Sequence, residues 1–256
     1  MTTTIRPEGS LYTKIENHIA TVEFGHPASN SFPSVLLQRL TDELEKLSHN
    51  TDVHVIVLKG EGEKAFCAGA SFTELLEVSN YEEGALFFSG FAKVINAMRS
   101  CSKIIVGRIH GKAVGGGVGL AAACDYALAT EESAIKLSEF TIGIGPFVIA
   151  PAVERKMGVG ALAEMTIAAD EWKNAYWAKE KGLYAKVFES AKDLDKEIDI
   201  LTTKLAGYNP EALSAMKKVL WEGTENWDTL LAERAQISGK LVLSDATKKA
   251  LEPYRK

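Results

Sequence analysis

Between Gly115 and Tyr126 the chain reads GGGVGLAAACDY, and an earlier segment, Phe66 to Ser71, reads FCAGAS. Three consecutive glycines let a backbone approach a ligand closely and take dihedral angles that other residues resist. The apolar run Leu120 to Cys124 that follows predicts a buried helix, whose first turn leaves N–H groups without an intrahelical acceptor. In FCAGAS, Ala68, Gly69 and Ala70 again keep side chains small. Two such segments suit an oxyanion hole, a pair of backbone donors aimed at one oxygen, where loss of a donor typically costs about 3 kcal/mol of transition-state stabilisation. Gly116 and Ala70 are the candidate donors, and the chemistry implied is on an acyl group. Glycine-rich turns also serve plain close packing, so the pattern takes its meaning from the rest of the chain.

The flanking segments predict alternating strands and helices. Leu11 to Ile15 and Ile19 to Phe24 read as two strands around a turn at Glu16 to His18. From Pro33, leucines at 36, 37, 40, 44 and 47 repeat with the period of an amphipathic helix, with proline near its start. Val53 to Leu58 is continuously apolar, as in a strand buried on both faces. A short helix is expected over Phe72 to Val78 and a longer one over Tyr81 to Met98, then strands at Ile104 to Ile109, Asp125 to Ala129 and Ala134 to Leu137. Beyond Gly158 the pattern is almost wholly helical: Ala161 to Ala169, Lys173 to Lys181, Lys192 to Ala206, Pro210 to Gly223, Trp227 to Val242 and Asp245 to Leu251. The chain changes character near residue 190.

FCAGAS, the strand at Lys103 to Ile109, HGKAVGGGVGLAAACDYALAT and LSEFTIGIGP occur in the order and at the spacing of the enoyl-CoA hydratase/isomerase (crotonase) superfamily, which the chain resembles over nearly its whole length. The resemblance implies an α/β fold, a spiral of ββα repeats over residues 1–190, with a helical C-terminal region, 191–256, used in trimer formation. It implies an acyl-CoA thioester as substrate, with coenzyme A part of that substrate and no separate cofactor. The thioester oxygen would sit between the N–H groups of Ala70 and Gly116. Lys64, Phe66, Ala68, Gly69, Gly115 and Gly119 would line the substrate and CoA site, and the assembly would be a homotrimer or a hexamer.

Glu139, after a short strand and before a Gly-rich turn, has the apolar neighbours Leu137, Phe140 and Ile142. Burial there raises a carboxyl pKa towards working pH, as a general acid/base requires. By the resemblance, Glu139 falls on one of two catalytic glutamate positions, and the other is Gly119. Hydration of a 2-enoyl thioester uses two carboxylates on one water. A single carboxylate suffices to move a proton, and this favours Δ3,Δ2-enoyl-CoA isomerisation. Hydration remains open should Glu74 or a residue of the helical tail fold over the site, and hydrolase, decarboxylase and retro-aldol members of the superfamily also lack that glutamate. Phe147 stands where the dehalogenase branch carries a nucleophilic aspartate. A catalytically silent scaffold of the same fold is the alternative from another class, with Gly119 its main support.

The remaining features narrow the field. A formal charge of −5, from 29 basic and 34 acidic residues, argues against general nucleic-acid binding. Cys67, Cys101 and Cys124 show no metal-ligand spacing and are expected to be buried, reduced thiols; no metal site is expected. The start MTTTIRPEGS has no apolar signal core, and Ile142 to Val153 is too short and too interrupted to span a bilayer, so a cytoplasmic protein without membrane association is expected. His110 reads as hydrogen-bonded framework at a strand end. Lys64, and the tail cations Lys248, Lys249, Arg255 and Lys256, stand where CoA phosphates would be met.

Overall fold

A computed structural model describes residues 7–255. The first six residues, part of the N-terminal reading, and Lys256 lie outside the described residues.

The strands β1 (Ser10–Glu16) and β2 (Ile19–Gly25) pair antiparallel around Asn17 and His18, which both take positive φ as a tight hairpin turn demands. Helix α1 (Ser34–His49) follows, with all five expected leucines buried. Thereafter strands come in twos: β3 (Val55–Gly60) and β4 (Ala65–Cys67), β5 (Ile104–Ile109) and β6 (Lys112–Val114), β7 (Tyr126–Thr130) and β8 (Ala134–Lys136). The first of each two joins a six-stranded sheet ordered β1-β2-β3-β5-β7-β10, with β10 at Lys186–Phe188, the second a four-stranded sheet ordered β4-β6-β8-β9, with β9 at Lys173–Asn174. Each step between twos is parallel in both sheets, which makes the chain a spiral of ββα turns. Helices α2 (Phe72–Glu77) and α3 (Tyr81–Ser100) fill the first turn, and α4 (Gly116–Ala123) the second.

The apolar strands face two cores. Ile56 and Leu58 of β3, with Ile105 and Ile109 of β5, meet α1 and α3; Val55, Val57, Ile104 and Val106 meet Leu194 and Ile198 of α7 (Ala191–Ala206). Burial on both faces explains why neither strand alternates.

The second half departs from the helical reading in three places. Helix α5 runs Ala150–Ile167, with Pro151 tolerated in its first turn and a kink at Gly158 (φ 81°), so it starts well before Ala161. The segment at Lys173 begins as a two-residue strand, β9 (Lys173–Asn174), before α6 (Ala175–Glu180), and β10 (Lys186–Phe188) adds parallel to β7. Strands this short carry no periodicity, and pairing partners define them. Helices α8 (Pro210–Leu220), α9 (Trp227–Leu241) and α10 (Asp245–Leu251) complete the chain.

Helix α9 lies on α3 where two glycines meet. A methyl on Gly84 would stand 2.8 Å from the carbonyl oxygen of Gly239, so only glycine permits this crossing. Helix α8 is tied down by a buried ion pair: Lys217 Nζ lies 3.0 Å from Asp125 Oδ2, and both side chains are about 2% exposed. The Asp125 carboxylate also accepts from Trp221 Nε1 and from the Ile105 N–H, each at 2.7 Å, while Lys217 donates to the Lys103 carbonyl at 2.8 Å. All three cysteines are free and buried, and burial pushes the Cys67 and Cys124 thiols up to about 12.

Candidate active site

A cavity of about 170 Å³ opens at the N-terminus of α4 and brings the two glycine-rich segments together. Its floor is Ala68, Gly69, Ala70, Val114, Gly115 and Gly116. A methyl on Gly69 (φ 87°) would lie 3.0 Å from the Val114 carbonyl oxygen and 3.4 Å from the Gly116 nitrogen, so the FCAGAS turn touches the helix entry. Neighbouring amides in both segments are engaged: Ser71 N–H with Phe32 O, Gly69 N–H with Cys67 Sγ, and Gly115 N–H with Lys136 O. Among the described residues the Ala70 N–H has no hydrogen-bond acceptor. The Gly116 N–H, at the first position of α4, has none either. Helix geometry leaves such donors facing outward, where they favour negative charge.

Glu139 opens a one-turn 3-10 helix, Glu139–Ile142, and enters the cavity over Gly115. A methyl on Gly115 would stand 2.7 Å from Glu139 Oε1, and Gly115 itself has φ 51°. Oε2 is shut off from solvent and has no hydrogen-bond partner among the described residues. Burial is the main cause that raises the Glu139 pKa to about 7, opposed by its own backbone N–H. Among the described residues it is the one titratable side chain that lines the cavity. A carboxyl half ionised near neutrality both takes and returns a proton.

The rest of the lining is apolar. Phe72, Phe87, Phe88, Phe91 and Phe147 contribute, which is five of the chain's ten phenylalanines, together with Leu75, Ile142, Ile144, Val148 and Ile149. Phe147, Val148 and Ile149 thus cover the cavity with the apolar run that follows Pro146. Ser138 and, from α9, Ser238 add hydroxyls. The tail reaches the rim, where Tyr254 packs edge-on against Phe72 with ring centroids 5.1 Å apart.

Several expected site residues lie elsewhere. Phe66 is fully buried against Phe24 in the main core; strand alternation in β4 turns its side chain away from the cavity. Gly119 is not in the lining, since its Cα faces α5: a methyl there would lie 2.5 Å from Ile149 Cγ2 and 2.8 Å from Ile149 Cβ. Lys64 is exposed and outside the lining. Glu74 caps α1 instead of facing the cavity, accepting from the Ser34 N–H at 2.9 Å and from the Ser34 hydroxyl at 2.6 Å. His110 is buried outside the cavity lining, and neither ring nitrogen has a hydrogen-bond partner among the described residues, which corrects its reading as a hydrogen-bonded group. Burial, then the charges of Arg108 and Lys59, lowers its pKa to about 4. Ile149 lies in the apolar stretch Phe147 to Val153 that the sequence suggests as a cover for the acyl end, whereas Ser238 was missed, since only the packing of α9 brings it to the site.

A spiral of ββα turns with an apolar, acyl-sized cavity at a helix N-terminus is the crotonase fold. The enoyl-CoA hydratase/isomerase family profile matches residues 14–255. The short-chain-enoyl-CoA hydratase of Clostridium acetobutylicum is 27% identical over 93% of this chain and 92% of its own. The peroxisomal Delta(3,5)-Delta(2,4)-dienoyl-CoA isomerase of Arabidopsis thaliana is 29% identical over 71% of this chain and 69% of its own. An enoyl-CoA hydratase structure from Bacillus halodurans superposes with a TM-score of 0.88 at 20% identity, covering 95% of this chain and 99% of that one. The chain belongs to the enoyl-CoA hydratase/isomerase family and is an acyl-CoA enzyme of that superfamily.

A methyl at position 115 would strain a left-handed backbone and push the Glu139 carboxylate aside, because that flexible side-chain end yields before the backbone does. Gly115→Ala is expected to lower kcat about a hundredfold, with the circular dichroism spectrum unchanged.

Proposed function

We propose that the enzyme isomerises a 3-enoyl-CoA thioester to its 2-enoyl isomer. The Glu139 carboxylate removes a proton from the α carbon. The released electron pair delocalises through the adjoining double bond and the thioester carbonyl, and the Ala70 and Gly116 N–H groups hold the resulting dienolate oxygen. Glu139, now protonated, returns the proton to the γ carbon as the 2,3 double bond forms. One proton moves and none is lost, so a single base is enough.

The supporting observation is that, among the described residues, Glu139 is the lone carboxylate in the lining, while Ile149 occupies the space into which a side chain at position 119 would project. Adding water across a 2-enoyl thioester needs a group to hold and activate that water, and the wall there is hydrocarbon. Hydration is the second reading, favoured by the hydratase names of relatives such as the Clostridium acetobutylicum enzyme. The apolar walls support an apolar acyl group. The same reading has coenzyme A as part of the substrate, no additional cofactor, and a cytoplasmic homotrimer or dimer of trimers; no helix among the described residues is long and apolar enough to cross a membrane.

The test is incubation with 3-enoyl-, 2-enoyl- and saturated acyl-CoA in deuterated water, followed by mass spectrometry and proton NMR. The expected result is 2-enoyl product from the 3-enoyl substrate and no 3-hydroxyacyl product. Accumulation of 3-hydroxyacyl-CoA would install the hydratase reading, and silence with every thioester, with no CoA binding, the scaffold.

A further inference from the structure

The turn that carries Glu139 is short and needs an outside hold. It is one turn of 3-10 helix closed by Gly143 (φ 78°, ψ 14°), with the Gly143 N–H on Phe140 O at 3.1 Å and the Ile144 N–H on Glu139 O at 3.0 Å. A single turn has no cooperativity of its own to fix a side chain. The hold comes from the C-terminal helices. Thr247 of α10 is fully buried, and its hydroxyl lies 2.9 Å from the Gly143 carbonyl oxygen and 2.9 Å from the Leu241 carbonyl at the end of α9. Its hydrogen serves one of these acceptors at a time, while the Ser244 hydroxyl donates to Thr247 Oγ1 at 3.1 Å. Turn and helix are in contact, for a methyl on Gly143 would stand 2.9 Å from Thr247 Cα. Around this contact Ile144, Val242, Leu251, Leu75 and Phe87 form a separate apolar cluster, which Ile142 joins.

We propose that Thr247 is a positioning residue that, through Gly143, holds Glu139 over Gly115. The proposal rests on the reading of Glu139 as proton carrier. The last helix thereby becomes part of the active site without touching the substrate. Among the described residues no second titratable side chain lines the cavity beside Glu139, and the charged groups of α10, namely Asp245, Lys248 and Lys249, are exposed. A change in Glu139 titration on altering Thr247 therefore reports geometry and solvent access.

The experiment compares Thr247→Val, which keeps shape and loses the hydroxyl, with Thr247→Ser, which keeps the hydroxyl. Two quantities are measured in the full chain well below its melting temperature: kcat and KM for 3-enoyl-CoA, and the titration midpoint of the Glu139 carboxyl by carbon NMR, assigned with Glu139→Gln. Thr247→Val is expected to lower kcat about tenfold with KM within about twofold, and to move the midpoint down from about 7 as water reaches the loosened carboxyl. Thr247→Ser is expected to match the parent in both. An unchanged kcat together with an unchanged midpoint in Thr247→Val would overturn the proposal. A parent enzyme that turns over no thioester, with a midpoint that still moves, would leave the positioning role standing and remove the isomerase reading instead. Should Thr247→Val not fold, Thr247→Cys, which puts a weakly donating thiol in place of the hydroxyl and loses the methyl, takes its place, and the same two quantities decide in the same way.

Discussion

Glu139→Gln is expected to lower turnover of 3-enoyl-CoA about a thousandfold and to leave the thioester Kd within about twofold, because the carboxylate acts on the migrating proton while the N–H donors and apolar walls hold the ligand. Glutamine fills the same space over Gly115 and offers no base. In the parent, kcat/KM should rise with pH and level off above about 7, where the raised carboxyl is ionised; the residual rate of the variant should lack that step. Stability moves the other way. The Glu139 pKa is raised from 4.5 to about 7 on folding, so its contribution to stability is fully present below about 4.5 and is lost as pH rises through about 7. Glu139→Gln should therefore be the more stable protein at pH 8, by about 3 kcal/mol, read by urea titration. A variant that is slow and yet less stable at that pH would mean that the glutamate is not held in a desolvated place.

The second large effect is on folding. Lys217→Met would take from the buried Asp125 carboxylate its ion-pair partner, leaving the Trp221 and Ile105 N–H donors, with Arg155 and Lys156 as the remaining nearby positive charges. Breaking one side of a buried pair typically costs about 3–5 kcal/mol. For a chain of this size that corresponds to a drop of roughly 10 °C in Tm, measured by scanning calorimetry. The double variant Asp125→Asn with Lys217→Met removes both charges and should recover much of the loss. If the single and double variants melt together, the pair does not fasten α8 to the sheet.

The legible parts of the chain were those fixed by local pattern. The leucines of α1 and the apolar runs of β3 and β5 declare their burial because their period, or lack of one, follows directly from facing one core or two. Gly115, Gly116, Ala70 and Glu139 line the cavity, and what singled them out was the resemblance of the whole pattern, since a glycine-rich turn and a carboxyl at a strand end each have commoner uses alone. Phe66 and Gly119 were misplaced for one reason: each lies in the right segment, yet the facing direction of a side chain depends on the strand or helix it belongs to. β4 sends Phe66 inward, and α4 turns Gly119 onto Ile149. Thr247 and Ser238 carry no signal in sequence, since Ser238 reaches the cavity wall, and Thr247 the Glu139 turn behind it, only after α9 and α10 fold back on α3 and that turn. That fold-back depends on Gly84 and Gly239, whose meeting at a helix crossing is invisible from either one alone.

The most direct measurement follows the migrating hydrogen itself. A 3-enoyl-CoA labelled with deuterium at the α carbon is converted in ordinary water, and the product is examined by deuterium NMR. With one glutamate carrying the hydrogen, one of its carboxylate oxygens shielded from solvent, a part of the label is expected at the γ carbon of the 2-enoyl product. Complete loss of label to water, or a hydroxylated product in its place, would contradict a single shielded carrier.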